Sequence, residues 1–145
     1  MLSTNTYLHF PGNAEKAINF YKKVFNGTIV LSQRYKDIPG GEKLSAEEQQ
    51  KLIHATLSIG NGIIIMATDA LESMGRTVVT GNNFYTCVHT ESETETEKIF
   101  SLLSEDGQVE MPLNKTFWGA YFGMCCDKFG VNWMINYIYP QTGKS

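Results

Sequence analysis

One pattern of strand and helix occurs twice along the sequence, and this repeat limits the possible folds more than any other feature. Residues 5–10 (NTYLHF) predict a strand, and the apolar side chains of residues 14–25 recur at the 3.6-residue period of a helix. Residues 83–90 and 92–104 predict a second strand and a second helix in the same order. A chain that repeats its elements in this way is expected to fold as two similar modules.

Constant offsets relate the residues of the two halves. Three offsets carry helix or turn residues onto residues of the same kind: 78 carries Tyr21 onto Ile99, 80 carries Gly27 onto Gly107, and 68 carries Gly62 onto Gly130. We expect Asn13 to cap the first helix, and Asn26-Gly27 to end it with a residue that tolerates positive φ. The agreement between element order and glycine positions favours a duplication over an accidental match.

The later part of each half predicts a hairpin of two strands. These hairpins are residues 54–67 and 122–135, so the order in each half is β-α-β-β-β. We therefore expect an α+β fold of two tandem modules with mixed sheets, formed by residues 1–69 and 83–140 and joined by a linker at 70–82. Together the modules should form one domain.

Two further segments lie outside the repeated pattern. Residues 37–52 are polar and contain Pro39-Gly40-Gly41, which predicts an excursion loop with a short helical turn between the second and third strands. The tail QTGKS, residues 141–145, is expected to fray.

Composition and charge restrict the possible partners. The 145 residues are 42% apolar, which suits one globular domain or two half-domains that share a core. The formal charge is −3 and the lysines are scattered, so the chain lacks the positive field that nucleic acids and acidic membranes require. Small molecules and proteins remain as partners. Because the first residues lack the features of a secretory signal, we expect a cytoplasmic location.

The three cysteines are Cys87, Cys125 and Cys126. An odd number with two adjacent members fits neither a disulfide framework nor a CxxC metal knuckle. We interpret all three as buried, reduced thiols. The alternative, a reactive cysteine, requires a cationic neighbour that the sequence does not identify.

Four motifs carry a resemblance that covers nearly the whole chain. They are YLHFPGNAEKAINFYKKVF, RYKD, TFWGAYFG and DKFGVNWMIN. With them the sequence resembles the PhnB-like branch of the vicinal-oxygen-chelate superfamily, the glyoxalase, bleomycin-resistance and dioxygenase fold. The resemblance implies that each module's mixed sheet curls into a cup. Members of this branch are often labelled 3-demethylubiquinone methyltransferase, but the sequence lacks the Gly-rich strand-to-helix turn typical of an S-adenosylmethionine site.

The resemblance also implies a divalent metal held by His, Glu or Gln from the first and last strands of each module. Here the first-strand position falls within residues 5–7 and, in the second module, at Tyr85, while the last-strand positions are Met66 and Met134. Thioethers and a phenol are poor ligands for Mg, Mn, Zn or Fe(II). We therefore expect a cup without a metal or another cofactor. The two methionines either fill the centre of the cup or shape a soft apolar pocket.

Strand alternation assigns candidate pocket residues to the face opposite the helix. Tyr7 and His9 should face the cup while Leu8 and Phe10 pack on the helix, and His54, Thr56 and Ser58 should face it from the third strand. The repeat adds Phe122, Met124 and Cys126. The predicted ligand pocket is aromatic and methionine-rich: Tyr7, His9, Tyr35, His54, Met66, Tyr85, Phe117, Trp118, Phe122, Met124 and Met134.

For three groups of side chains we compare a chemical role with a purely structural one. His9 and His54 are candidates for proton transfer, although a lone strand histidine is more often only hydrogen-bonded; His89 is interpreted as a surface residue. Phe117 and Trp118 either close the core where the sixth strand bends at Gly119 or form a stacking wall over a flat ligand. The last group is acidic and is interpreted as the solvated N-terminus of the second helix: Glu91, Glu93, Glu95 and Glu97.

Two functions of different class are compatible with these features. The first is a metal-free protein that binds a small hydrophobic or aromatic molecule. The second is a metal-dependent lyase, isomerase or dioxygenase that uses displaced ligands such as His9 and His54. The sequence does not decide whether the protein is an enzyme. We also expect a homodimer in which each cup is completed across the two-fold axis, because the apolar cup faces need cover. The resemblance implies exchange of modules through the 70–82 linker, but the sequence alone does not decide between exchange and closure within one chain.

Overall fold

The computed structural model describes residues 1–141, and the chain folds as two compact units. The first unit comprises Met1–Val79, and the second begins at Thr80. The elements of the first unit are β1 (Thr6–Phe10), α1 (Ala14–Phe25), β2 (Thr28–Arg34), α2 (Ala46–Gln49), β3 (Leu52–Gly60) and β4 (Ile63–Asp69). Those of the second are β5 (Thr86–His89), α3 (Glu93–Ser104), β6 (Gln108–Lys115), β7 (Ala120–Cys126) and β8 (Asn132–Ile138).

Each unit contains one four-stranded mixed sheet. The strand orders are β1-β4-β3-β2 and β5-β8-β7-β6, with the first pair of each sheet parallel and the others antiparallel. The two orders are the same when counted within each unit. The predicted α+β class and the repeated β-α-β-β-β order are therefore confirmed.

The core of each unit lies between its sheet and its long helix. In the first unit α1 buries Ala17, Tyr21 and Val24, and contacts β3 and β4. In the second unit α3 contacts β7 and β8, whose Trp133 and Ile135 are fully buried. Burial of one helix stripe and one sheet face is the arrangement that the apolar periods of 3.6 and 2 predict.

The strand registers confirm the expected offset of the hairpins and correct the offset of the first strands. The offset of 68 holds for the hairpins, since Thr56 pairs with Met66 as Met124 pairs with Met134. For the first strands the offset is 80, because Tyr7 pairs with Met66 and Cys87 with Met134. Cys87 thus corresponds to Tyr7.

The second strand and second helix differ in detail from prediction. Residues 83–85, expected to begin the second strand, precede β5, so Tyr85 lies outside it. The two long helices correspond at an offset of 79, not 78, because Ala14–Phe25 and Glu93–Ser104 have equal length. The connections around each helix differ by single residues, so one offset cannot hold from strand to helix to strand.

The cap of α1 differs from the prediction. Asn13 occupies the N-cap position but its side chain caps nothing, and its Oδ1 is buried without a partner among the described residues. Asp69, at the end of β4, instead accepts from the backbone N of Ala14 at 2.8 Å and of Leu52 at 2.9 Å. A buried carboxylate therefore joins the start of the helix to β3.

The other end of α1 follows the prediction. Asn26 takes the left-handed conformation with φ 54°, and Gly27 donates to the carbonyl of Lys22. A Cβ on Gly27 would lie 2.6 Å from the Ser58 carbonyl, so this glycine is needed for close approach to β3.

The segments outside the repeat also have defined structure. Residues 35–51 contain two 3-10 turns and α2, which confirms the expected helical turn in the excursion loop. A further 3-10 turn covers Glu72–Met74, and the preceding Ala70 and Leu71 are buried in the first unit. The tail expected to fray lies, from residue 142 onward, outside the described residues.

Candidate functional site

A cavity of about 470 Å³ lies on the first unit, and we call it the first-unit cavity. Two aromatic rings, an imidazole, two apolar side chains, a hydroxyl and a guanidinium line it: Tyr7, Tyr35, His9, Ile53, Met74, Thr68 and Arg76. This volume is in the range of small-molecule sites. The cavity includes three of the predicted pocket residues, namely Tyr7, His9 and Tyr35.

Strand alternation on β1 positions two of these side chains. Phe10 is 1% exposed and belongs to the core, whereas Tyr7 and His9 are exposed on the other face. Their ring centroids lie 5.6 Å apart with the planes tilted by 53°. The predicted orientation of this strand is confirmed, and it gives the cavity an aromatic wall.

A chain of hydrogen bonds connects β1 to β3 beside the cavity. The Tyr7 hydroxyl lies 2.7 Å from His54 Nδ1, and His54 Nε2 lies 2.8 Å from the Thr56 hydroxyl. Because both partners are hydroxyls, either tautomer of the neutral imidazole satisfies both of its nitrogens. We call Tyr7, His54 and Thr56 the Tyr-His-Thr chain. His54 does not line the cavity itself but fixes the orientation of the Tyr7 ring.

The environment of Tyr7 favours its neutral form. Burial raises the pKa of the Tyr7 phenol above its ordinary value, the neighbouring Tyr35 adds to the rise, and the Arg76 guanidinium lowers it. The net rise keeps the phenol protonated near neutral pH. Tyr7 therefore acts in the cavity as a hydrogen-bonding phenol.

Two other hydroxyls of the cavity have their protons committed to backbone carbonyls. Tyr35 is buried and donates to the Asp69 carbonyl at 2.8 Å, and Thr68 donates to the Ile53 carbonyl at 2.7 Å. These bonds hold the Tyr35 and Thr68 side chains in place. Neither hydroxyl has its proton free to donate to a ligand.

Arg76 and Met74 line the cavity but were missing from the predicted pocket. Both come from residues 70–82, interpreted as a linker because the segment has few apolar residues and two glycines. The segment instead turns back on its own unit: Ala70 donates to the Phe10 carbonyl, and the Arg76 backbone donates to the Leu71 carbonyl. The sequence signal for Arg76 was a single basic side chain in a segment with few charges. Such a signal is too common to identify a pocket residue.

The two other predicted pocket residues of the first unit, His54 and Met66, and the predicted residues of the second unit are not among the residues that line this cavity. Met66 stands opposite Tyr7 in the sheet. Met124 and Met134 stand opposite each other, and Tyr85 donates to Glu110 at 2.7 Å. The larger predicted pocket, which combines residues of both units, remains a prediction.

Phe117 and Trp118 do not close the core of the second unit. They lie between β6 and β7 and are 96% and 59% exposed. Their rings meet edge to face at 5.0 Å, and Trp118 also contacts Phe122 with centroids 6.2 Å apart. The chain reverses at Gly119, with φ 89°, between two strands rather than within the sixth. The core interpretation is thus wrong for this hairpin.

The cysteines and the acidic helix start also differ in part from the predictions. Cys125 is buried, and burial raises its pKa to about 12, but Cys87 is exposed and Cys126 is half-buried. All three are free thiols. Of the four glutamates interpreted as a solvated face, Glu93 and Glu97 accept hydrogen bonds from Tyr139 and Tyr121.

The donor set does not fit the divalent metal that the superfamily resemblance implies. Tyr7 and Met66 meet in the first unit, and Cys87 and Met134 in the second, so neither place offers a pair of hard or imidazole ligands. Nowhere in residues 1–141 are three His, Cys, Asp or Glu side chains grouped to hold a metal ion. The displaced ligand His54 has both ring nitrogens bonded within its own chain of hydroxyls.

Comparison with known proteins decides the family. Residues 3–136 match the family model described as 3-demethylubiquinone-9 3-methyltransferase. The chain belongs to this PhnB-like family. Protein YjdN of Escherichia coli K12 is 32% identical over 143 residues, which is 93% of this chain and 95% of that protein.

Solved structures agree with the family and extend to the wider fold. Protein PA1353 from Pseudomonas aeruginosa has a TM-score of 0.83 at 33% identity, with 95% of this chain and 98% of that chain covered. A PhnB protein from Bacillus cereus has a TM-score of 0.72 at 31% identity, with coverage of 94% and 99%. A glyoxalase/bleomycin resistance/dioxygenase family enzyme from Burkholderia phytofirmans, at 14% identity and a TM-score of 0.62, shares the fold, with coverage of 94% and 100%.

The fold expectation from the four sequence motifs is thereby confirmed. The methyltransferase wording belongs to the family description and assigns no reaction to this chain. Within residues 1–141, none of the helices combines the length and apolar character needed to cross a membrane.

Proposed function

We propose that this PhnB-like protein binds a small hydrophobic or aromatic molecule in the first-unit cavity. The observation that supports the proposal is the lining itself: Tyr7 and Tyr35, with Ile53 and Met74, line a space of about 470 Å³. Aromatic and thioether side chains favour contact with a flat apolar ligand. The hydrogen bonds from the Tyr35 and Thr68 hydroxyls to backbone carbonyls position two lining side chains before a ligand binds.

Substitution at one wall of the cavity tests this proposal. Isothermal titration with a panel of mono- and bicyclic aromatic compounds should find ligands with dissociation constants below millimolar. Tyr7→Ala should weaken their binding by about fivefold, the effect of losing one aromatic contact of about 1 kcal/mol. Tyr121→Ala, which removes an aromatic side chain that lies outside the predicted pocket and donates to Glu97 of α3, serves as the matched control and should leave affinity unchanged. A panel with no ligand better than millimolar would overturn the proposal.

The proposal also holds that binding needs no metal ion. Its support is the soft or neutral character of the donors at the superfamily's ligand positions. Protein purified without chelator should contain less than stoichiometric Mn, Ni, Zn and Fe by elemental analysis, and added chelator should not change the affinity for the aromatic panel. One bound metal per chain, removed together with binding, would favour the lyase, isomerase or dioxygenase alternative instead.

We propose further that the protein is a homodimer. The outer strands β2 and β6 carry exposed apolar side chains: Val30, Leu31, Val109 and Met111. Edge strands of this kind favour pairing with another chain. Light scattering at micromolar concentration should give twice the chain mass of 16.3 kDa, about 33 kDa. A species of single-chain mass at every dilution would contradict the dimer. Exchange of modules and a cytoplasmic location stay predictions.

A further inference from the structure

The guanidinium of Arg76 lines the first-unit cavity without a carboxylate partner. Within residues 1–141, the ion pairs are Arg34 with Glu15 and Lys115 with Glu93, and Arg76 joins neither. Its backbone is fixed by the hydrogen bond to Leu71 after the left-handed Gly75. A guanidinium held at a cavity wall and not neutralised by the protein attracts a negatively charged group from solution.

The other lining residues do not compensate this charge. Arg76 is the one lining side chain with a permanent charge, since the rest are phenols, an imidazole, a hydroxyl and apolar groups. The nearby carboxylate of Asp69 is 1% exposed and accepts from Ala14 and Leu52, so its charge is already engaged. Glu72 borders a second cavity that Arg76 also lines, but the two make no ion pair.

Most polar side chains of the cavity lining already have a hydrogen-bond partner. The Tyr35 and Thr68 protons go to backbone carbonyls, and the Tyr7 hydroxyl bonds to His54. Among the described residues the His9 ring has a contact with the Tyr7 ring and no hydrogen-bond partner. The lining side chains that have polar atoms and no hydrogen-bond partner among the described residues are therefore Arg76 and His9.

We infer that the ligand of the first-unit cavity is a small aromatic carboxylate. Its carboxylate pairs with the fork of Arg76, which matches two carboxylate oxygens, and its ring contacts Tyr7 and Met74. The same charge disfavours cationic aromatic ligands. This inference rests on the proposed binding function and names the chemical class of its ligand.

A pair of probes equal in shape and different in charge tests the inference. We would titrate 2-naphthoate and 2-naphthamide into the full chain by calorimetry at low and at moderate ionic strength. The carboxylate should bind about fivefold more tightly than the amide, the upper end of the range for an ion pair that solvent can reach. Its advantage should decrease as salt is added, because the guanidinium is accessible to solvent.

Three variants assign the preference to Arg76. Arg76→Gln should abolish the advantage of naphthoate and leave naphthamide affinity unchanged, while Arg76→Lys should retain part of it, because Lys keeps the charge without the planar fork. Lys16→Gln is the matched control: it removes one positive charge from the exposed side of α1, which packs on the other face of the sheet. It should preserve the full advantage.

The possible outcomes distinguish this inference from the proposed binding function on which it rests. Equal affinity of the two probes, or an advantage that survives in Arg76→Gln, overturns the carboxylate assignment while aromatic binding stands. Binding of neither probe below millimolar overturns both. Thermal melts of each variant exclude unfolding as the cause of a loss.

Discussion

The two units share one backbone arrangement and differ in the side chains on the open face of the sheet. Residues paired across the first sheet are Tyr7, Met66, Thr56 and Leu31. Those at the same places in the second are Cys87, Met134, Met124 and Met111. Thus the first unit presents hydroxyl groups beside a cation, and the second presents a row of sulfur atoms.

The faces that pack on the helices differ much less. Equivalent positions there are buried and small or apolar in both units: Ala55 and Gly123, Leu57 and Cys125, Ile65 and Trp133, Ala67 and Ile135. Burial restricts what a residue at these positions can be, whereas the open face is free of that restriction. The strand pairing that both units share therefore fixes the backbone, whereas chemical specialisation lies on the open face of the sheet in one unit.

The largest expected effect concerns the buried carboxylate of the first unit. Asp69→Ala leaves the backbone N–H groups of Ala14 and Leu52 buried without an acceptor. Each hydrogen bond to a charged group contributes about 1.5–3 kcal/mol, so we expect the free energy of unfolding to fall by about 3–5 kcal/mol. Urea denaturation measures the loss, and hydrogen exchange should locate it in the first unit. A loss below about 1 kcal/mol would contradict this account of the helix start.

The second unit offers a matched variant. Asp127 is buried and accepts from the Trp133 indole at 2.9 Å and from the Val131 backbone at 3.0 Å, around the β7–β8 turn rather than at a helix. Asp127→Ala should destabilise the second unit by a similar amount and leave the amides of α1 protected. Equal exposure of both units in either variant would mean that the two units do not unfold separately.

A second prediction separates the two faces of the second sheet by thiol reactivity. Cys125, on the helix face, is buried with a pKa of about 12, whereas Cys87, on the open face, is exposed. Because the thiolate is the nucleophile, a disulfide reagent at pH 8 should modify Cys87 at least about 100-fold faster than Cys125. Cys87→Ser should remove the fast phase. A fast phase that remained in that variant would place the reactive thiol elsewhere.

A third prediction uses equivalent glycines. A Cβ at Gly27 would lie 2.6 Å from the Ser58 carbonyl, and one at Gly107 would lie 2.2 Å from the Cys126 carbonyl. Both Ala variants should destabilise by about 1–3 kcal/mol, with the larger loss at Gly107 because its contact is closer. Chemical denaturation of the two variants in parallel measures the difference. Gly62→Ala, where a Cβ would have space but φ is 77°, separates backbone strain from steric overlap.

The smallest expected effect concerns tyrosine ionisation. Burial and the hydrogen bond to Glu93 raise the pKa of Tyr139 to about 12. Because the folded pKa lies above the unfolded value of about 10, folding favours the phenol, and this contribution is complete below pH 10 and is lost as pH rises to 12. Absorbance at 295 nm should show a late step that Tyr139→Phe removes. The same substitution at Tyr85 should leave that step in place.

Local patterns were sufficient to predict much of this molecule. Period-2 alternation assigned Tyr7, His9 and Thr56 to the correct face because neighbouring strand residues must point in opposite directions. The Gly62 and Gly130 turns set the hairpin register, and both glycines have positive φ. These features depend only on residues close in sequence.

The features that the sequence did not reveal depend on contacts between distant residues. Asp69 reaches Ala14 across 55 positions, and no local signal distinguishes it from Asn13 as the cap. Arg76 enters the cavity because its segment turns back on the first unit, which its weak periodicity did not predict. Trp118 has a large apolar side chain of the kind that is common in protein cores. Only the length of the surrounding hairpin decides that it lies at the surface.

The unequal connections within the two sheets set an order for their formation. Residues 35–51 join β2 to β3, whereas residues 116–119 join β6 to β7, so the loops contain 17 and four residues. A fourfold longer loop costs about 1.2 kcal/mol more conformational entropy to close. The β6–β7 hairpin should therefore form first during folding, and the segment that brings Tyr35 to the cavity should be ordered late, after the strands that it joins.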